Sequence, residues 1–253
     1  MDLHRRFYIM YILILKELKG KYANSHLGFL WHILTPMIQV ILYYIVFGSI
    51  LYQGDSHYWL YLSAGVFPFI FFQSCLSSGS ISIISNSELV KKVHFPREII
   101  VLANVFSYAI IFIFGYVVVI SLMIIFGELI GINILLLIPA IGLTVLFALG
   151  YTLVLSCITV YFRDMQHIID AFSRVFFWVT PIFYYTSSLD GILSKIIWIN
   201  PYTYFIELFH NIVFYSNIPS VSLWLCCIFI SIFTFIVGWL LFSMFKNKFA
   251  EVI

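Results

Sequence analysis

Charge is scarce in this sequence: only 9% of its 253 residues are Asp, Glu, Lys or Arg, where a soluble domain has about a quarter. With 63% of residues apolar, that scarcity excludes a water-soluble globule. It equally excludes a disordered chain, which needs high charge and low hydrophobicity. What remains is a polytopic membrane protein. The apolar runs do not alternate and far exceed the roughly 10 residues of a barrel strand, so the expected fold is all-α.

Other absences narrow the chemistry. No Gly-x-x-x-x-Gly-Lys-Ser/Thr pattern occurs, so ATP is not bound here through a P-loop. The middle of each apolar run lacks Asp, Glu, Lys and Arg, and the histidines fall at run ends or in loops. Ion-coupled carriers and proton pumps place ionisable groups at mid-membrane. An uphill transporter built this way needs a separate ATPase subunit. The cysteines Cys75, Cys157, Cys226 and Cys227 lie inside apolar runs and read as packing residues. Metal-ligand spacing is missing. The stretch Ser77-Ser78-Gly79 has no histidine at matching depth to activate a serine. No catalytic residue, metal or resident cofactor is expected, and a net charge of +2 gives no reason to expect nucleic acid.

Six apolar runs approach the length of about 20 residues that a crossing needs. They are Leu30–Leu51, Trp59–Ile83, Ile99–Phe126, Ile134–Tyr161, Ile168–Tyr185 and Val221–Phe245. An even count puts every Lys and Arg except Lys195 on one side. Asp55, Glu128, Asp190, Lys195 and Glu207 fall on the other. By the positive-inside rule both termini are cytoplasmic. Arg5 and Arg6 followed by Phe7–Leu15 resemble the start of a signal peptide. However, Lys16-Glu17-Leu18-Lys19-Gly20-Lys21 follows without a small-x-small cleavage site. Residues 1–26 are therefore expected to be a retained interfacial helix, with Arg5, Arg6, Lys16, Lys19 and Lys21 at the lipid headgroups. Residues 186–220 form an outer region that Asn200-Pro201 splits into two apolar pieces, each too short to cross. They read as re-entrant or interfacial helices. The rival is a seventh span, Ile192–Tyr215, which would bury Lys195, Glu207 and His210.

Polar residues inside the runs fall in stripes. His32, Thr35, Gln39 and Tyr43 share one face of the first run. Gln166, Asp170, Ser173, Phe177, Thr180 and Tyr184 share one face of the fifth. Such stripes face protein or water rather than lipid. Helix–helix hydrogen bonding and the lining of a pathway both fit. Aromatic residues are dense, with 27 Phe, 17 Tyr and 6 Trp. Interfacial belts account for Tyr52, Tyr58, Trp59 and Tyr61. They account less well for Tyr43-Tyr44, Phe176-Phe177-Trp178 and Phe183-Tyr184-Tyr185. Flat rings that contact sugar C–H faces and still let them slide suit a carbohydrate channel. Between the second and third runs, residues 85–98 hold a short charged segment, Glu88 to Val93, with Asn86 or Ser87 as a possible cap and Pro96 as a stop. Tied to two spans, it suits a lever for a cytoplasmic motor, or an ordinary solvated loop.

Several motifs now converge. VKKVHFPREII resembles the intracellular segment of polysaccharide-export permeases of the type 2 ABC transporter class. KELKGKYANSHLGFLWHILTPMI is similar to their opening signature. YFRDMQHIID, TPIFY and NPYTYFIELFHNIVF resemble their turn after span four, end of span five and outer segment. The resemblance covers nearly the whole chain, as a single transmembrane permease domain. It implies a homodimer in the bacterial inner membrane, with two ATP-binding subunits that hold ATP and Mg. The cargo would be an undecaprenyl-linked polysaccharide, with O-antigen favoured and capsule, teichoic acid or another lipid or drug as alternatives. It also implies that Glu88, Leu89, Lys91, Lys92, Val93, His94, Phe95, Pro96 and Arg97 couple to the ATPase. The first and fifth spans would line the channel, with Gln39, Tyr43, Tyr44, Phe177, Trp178 and Tyr184 on its wall. The two outer pieces, near Ile192–Ile199 and Tyr202–Tyr215, would be gate helices. A membrane-embedded glycosyltransferase or acyltransferase lacks its convergent acid, base or metal ligands here.

Overall fold

The structure, a computed structural model, describes residues 3–20, 27–48, 57–92, 95–128 and 130–252. Helix α1 spans Leu3–Gly20, and α2 spans Trp31–Tyr43 and runs on in wider turns to Gly48. Next come α3 (Tyr58–Ser80), the short α4 (Ser82–Ser85) and α5 (Ser87–Lys92), then α6 (Glu98–Phe126) and α7 (Leu137–Tyr161). The chain continues through α8 (Met165–Val179), α9 (Gly191–Ile199) and α10 (Pro201–Phe209). It ends with α11 (Val221–Phe245) and α12 (Phe249–Val252). The described residues form helices and no strands.

Among the described residues, five helical stretches are long and apolar enough to cross a membrane: Trp31–Gly48, Tyr58–Ser80, Glu98–Phe126, Ile132–Tyr161 and Val221–Lys248. The fifth run expected from sequence, Ile168–Tyr185, is not a full-length helix. Its helix α8 has 15 residues, or about 22 Å at 1.5 Å per residue, against a hydrocarbon core of about 30 Å. Pro181 is the cause. A residue before proline is driven out of the helical region, and Thr180 has ψ 133°.

Cross-chain bonds define the two ends of the bundle. At the basic end, Lys246 pairs with Glu98 at 3.3 Å, and Tyr161 packs its ring edge against Phe245. At the opposite end, His57 bonds Glu128 at 2.8 Å, and the Asn133 amide donates to the Ile212 carbonyl at 2.9 Å. Helices α7 and α11 are therefore parallel, and residues 162–220 carry the chain back between them. Along that return Asp170 meets Ser77 near the end of α3, and the Phe183 carbonyl meets Tyr58 at its start. The return thus follows the length of α3, as helix and then as extended backbone.

Small residues let the helices close in. A Cβ on Gly238 would lie 2.2 Å from the Gly150 carbonyl oxygen, and one on Gly150 2.4 Å from the backbone of Thr234. Ser231 adds a hydroxyl bond to the Leu143 carbonyl at 2.9 Å. In lipid, which offers no hydrophobic drive between helices, such close packing is what holds them together. Helix α3 sits at the centre, with Tyr58, Leu62, Phe69, Phe72 and Cys75 fully buried. Pro68 has no N–H, so the Ala64 carbonyl one turn back loses its helical partner. The Tyr116 hydroxyl of α6 donates to that carbonyl at 2.9 Å, and the Tyr202 hydroxyl of α10 donates to the Pro68 carbonyl. Helix α6 ends at Gly127, whose φ of 73° gives the left-handed cap that lets Glu128 N–H reach the Met123 carbonyl.

Candidate functional site

The residues singled out from sequence fall into two regions. At the basic end, α5 lies on a small separate core of Leu13, Ile83, Val90, Ile99, Phe242 and Phe249. Val90 faces inward at 4% exposure, while Glu88 and Lys91 face solvent. Leu89, Phe95, Pro96 and Arg97 are half-buried. Val93 and His94 lie outside the described residues, as does the Lys92 side chain. Asn86 was one of two candidate caps for α5, with Ser87. Instead its amide donates back to the Ser82 carbonyl at 2.9 Å, and its oxygen accepts from Lys16 of α1 at 2.7 Å. The Arg97 guanidinium donates to the Lys246 carbonyl. The segment is thereby joined to the N-terminal helix, to α6 and to the end of α11.

The expected interfacial helix, residues 1–26, is described over Leu3–Gly20; Lys21 lies outside the described residues. Leu13 is buried against the small core, Phe7, Tyr8 and Tyr11 are exposed, and Arg5, Arg6, Lys16 and Lys19 are exposed. A helix that buries one apolar side in protein and bares aromatic residues beside cations suits a membrane surface.

The second region is the groove between α2 and α8. Tyr43 and Phe177 approach at 5.6 Å between ring centroids. Phe47 stacks on Phe183 at 4.9 Å, and Phe183 meets Trp178 edge-on at 5.1 Å. Phe69 of α3 backs Phe177 at 5.1 Å. Gln39 is half-buried one turn below Tyr43, and Trp178 is 57% exposed. Tyr44 turns away, towards Tyr58 at 6.4 Å, and the Tyr184 hydroxyl bonds back to the Val179 carbonyl at 3.0 Å. Tyr44 therefore stands apart from the Tyr43–Phe177 group, whereas the Tyr184 ring meets Phe183 edge-on at 5.0 Å. Sequence reasoning missed Phe47, which was legible, since it extends the Gln39–Tyr43 stripe by four residues. Phe183 stood out only as part of an aromatic cluster, because the break at Pro181 takes it off the helical face.

Beside this groove the helices α9 and α10 meet at Asn200, whose side chain caps α10 through Tyr202 N–H at 2.9 Å and donates to Thr180 at 3.0 Å. Tyr202 stacks on Phe72 at 4.3 Å, level with the middle of α3, whereas His210 stacks on Tyr61 at 3.8 Å near its start. The pair thus enters from the end opposite the basic one, reaches half-way, and returns. His210 is fully buried, 3.5 Å from Glu207, whose carboxylate also accepts from Thr186 at 3.0 Å. The carbonyls freed by the break after α8 are met by hydroxyls, Tyr58 to Phe183 at 2.6 Å and Tyr61 to Tyr184 at 2.7 Å. Irregular backbone at membrane depth persists only where protein satisfies it in this way.

Comparison with known proteins places this geometry. Residues 8–214 match the ABC-2 type transporter family. The chain is 31% identical over 252 residues to the O-antigen export system permease protein RfbA of Klebsiella pneumoniae, covering 98% of this chain and 95% of that one. A protein of the same name from Myxococcus xanthus is 25% identical over 243 residues, 95% of this chain and 94% of its own. The polysialic acid transport protein KpsM of Escherichia coli is 24% identical over 201 residues, covering 78% and 77%.

Proposed function

Because the chain belongs to the ABC-2 type transporter family, we propose that it is the permease subunit of an ATP-driven exporter that carries a lipid-linked polysaccharide, O-antigen, across the bacterial inner membrane. The observation that carries this reading is likeness along nearly the full length to O-antigen export permeases. Six crossings with both termini cytoplasmic are supported by the return of residues 162–185 along α3. They are also supported by the gathering of Arg97, Lys246 and Lys248 at one end. Two copies form the channel. Helix α2 buries only Pro36 and Val40 of its own residues and leaves Leu34, Ile38, Ile41 and Ile45 exposed, a face that a second copy or lipid covers.

The cargo is hydrated and longer than any pocket, so a continuous path suits it better than alternating access round one site. Rings of Tyr43, Phe47, Phe177 and Trp178 offer many weak contacts and no charge to hold a passing sugar. Two cytoplasmic ATPase subunits hold ATP and Mg and dock on Glu88, Leu89 and Lys91. Their differential grip in two states shifts the channel between open and closed. The core under Val90 carries that motion to α1, α6 and α11 together. Arg5 and Arg6 face the headgroups, where a lipid diphosphate is held.

The test is genetic and biochemical. Removal of this chain from its own bacterium should leave lipid-linked polymer stranded on the cytoplasmic face and strip it from the cell surface, with both restored by re-expression. Unchanged surface polysaccharide would sink the reading.

A further inference from the structure

A cavity of about 510 Å³ lies between α3, α6 and α8, in the half nearer the basic end. It is lined by Gln73, Ser74, Ser77, Ser78, Asp170 and Arg174, among others. For a chain with so little charge, this is an unusual concentration of polar groups inside the helical bundle. The Ser77 hydroxyl donates to Asp170 at 3.0 Å, leaving the rest of that carboxylate free to accept. Ser78 Oγ accepts from Asn104 at 3.0 Å, leaving its own O–H to donate. Gln73, Ser74 and Arg174 have no hydrogen-bond partner among the described residues. Unmet polar capacity facing lipid is costly, so the cavity suits water or a hydrated ligand.

We propose that this cavity is a subsite for uncharged sugar residues, on the reading that the chain exports a polysaccharide. The match is chemical. Each sugar hydroxyl both donates and accepts, and this wall presents acceptors (Asp170, Gln73) interleaved with donors (Arg174, Ser78, Gln73). The volume falls in the range of about 300–1,000 Å³ typical of small-ligand sites. Electrostatics sets the class. Asp170 and Arg174 stand four residues apart on α8 and their charges cancel, and among the described residues no other Lys or Arg lines the cavity. A polyanion such as a polysialic or polyphosphate chain would meet a carboxylate with no surplus cation to balance it. The subsite also leads somewhere: Phe177 is one turn beyond Arg174 on α8, so a glycan leaving the cavity meets the aromatic groove next.

The experiment uses the full-length chain in phospholipid nanodiscs and saturation-transfer NMR with two probes, mannotriose and the trimer of sialic acid. Mannotriose should receive transfer and the sialic trimer should not. Asp170→Asn combined with Gln73→Leu should weaken mannotriose binding about tenfold, and the milder Ser74→Ala about twofold. Ser74→Ala keeps the test decisive if the double variant does not fold. Absence of mannotriose transfer, equal or stronger transfer to the sialic trimer, or indifference to the variants would overturn the subsite. None of these touches export itself, which stands or falls on the fate of surface polysaccharide when the chain is removed.

Discussion

Helices α2 and α3 have nearly equal mean hydropathy, and each carries one internal proline, Pro36 and Pro68. Their surroundings are opposite: α3 is buried along most of its length, α2 along very little. Hydropathy therefore reports which solvent a helix tolerates, not which neighbours it has. The difference lies in the small and hydroxyl residues. Ser63, Ala64, Gly65, Gly79 and Ser80 give α3 close neighbours, whereas α2 presents Leu34, Ile38, Ile41 and Ile45 outward at spacings of four, three and four. One helix is scaffold; the other leaves most of its surface uncovered, which is what the proposed second copy and path require.

The largest expected effect tests the scaffold side. A Cβ on Gly115 of α6 would lie 2.4 Å from the ring of Phe67 on α3. Gly115→Leu should cost at least about 1–3 kcal/mol from overpacking, read as a lowered melting temperature or loss of the monodisperse peak in detergent. Ile41→Ala on the bare face of α2 should leave the melting temperature nearly unchanged. Equal effects at the two sites would erase the contrast.

A second variant sharpens it. Tyr116→Phe should cost about 1–3 kcal/mol, because it orphans the buried Ala64 carbonyl. In a Pro68→Ala background the restored N–H can take that carbonyl, and the cost of Tyr116→Phe should largely vanish. A double-mutant cycle in thermal unfolding reads the coupling directly. Additive effects would show that Tyr116 only fills space.

Much of this was written in the sequence. The apolar runs, the split at Asn200-Pro201 and the short helix before Pro96 are local signals, and each appears where its residues place it. Span five was misjudged in length because hydropathy sees Phe177 and Phe183 as one run, while the backbone obeys Pro181. The pairing of Pro68 with Tyr116, or of Lys16 with Asn86, joins residues far apart in the chain and leaves no periodic trace. The polar cavity was half visible. Asp170 and Ser173 stood out as part of a stripe, and Ser77-Ser78 as serines without a histidine, but nothing in one dimension said that they face each other.

On the path side the effect should leave stability and reach function. Tyr43→Ala with Trp178→Ala removes rings from the groove, where Trp178 is already 57% exposed. The melting temperature should move little, and polymer flux to the cell surface should fall. Unchanged flux would assign those rings to lipid contact.

The smallest structural effect belongs to Lys91. Its neighbour Val90 is buried in the core beneath α5, so Val90→Ala should cost about 1 kcal/mol in unfolding measurements. Lys91 faces solvent, and a surface substitution of this kind stays within about 0.5 kcal/mol. Lys91→Glu should therefore leave the fold and its melting temperature intact, yet strip the cytoplasmic ATPase from the purified complex and abolish export. If the reversed charge keeps its companion and transports normally, α5 is a solvated loop that happens to be helical. The motor must then grip elsewhere on the basic end.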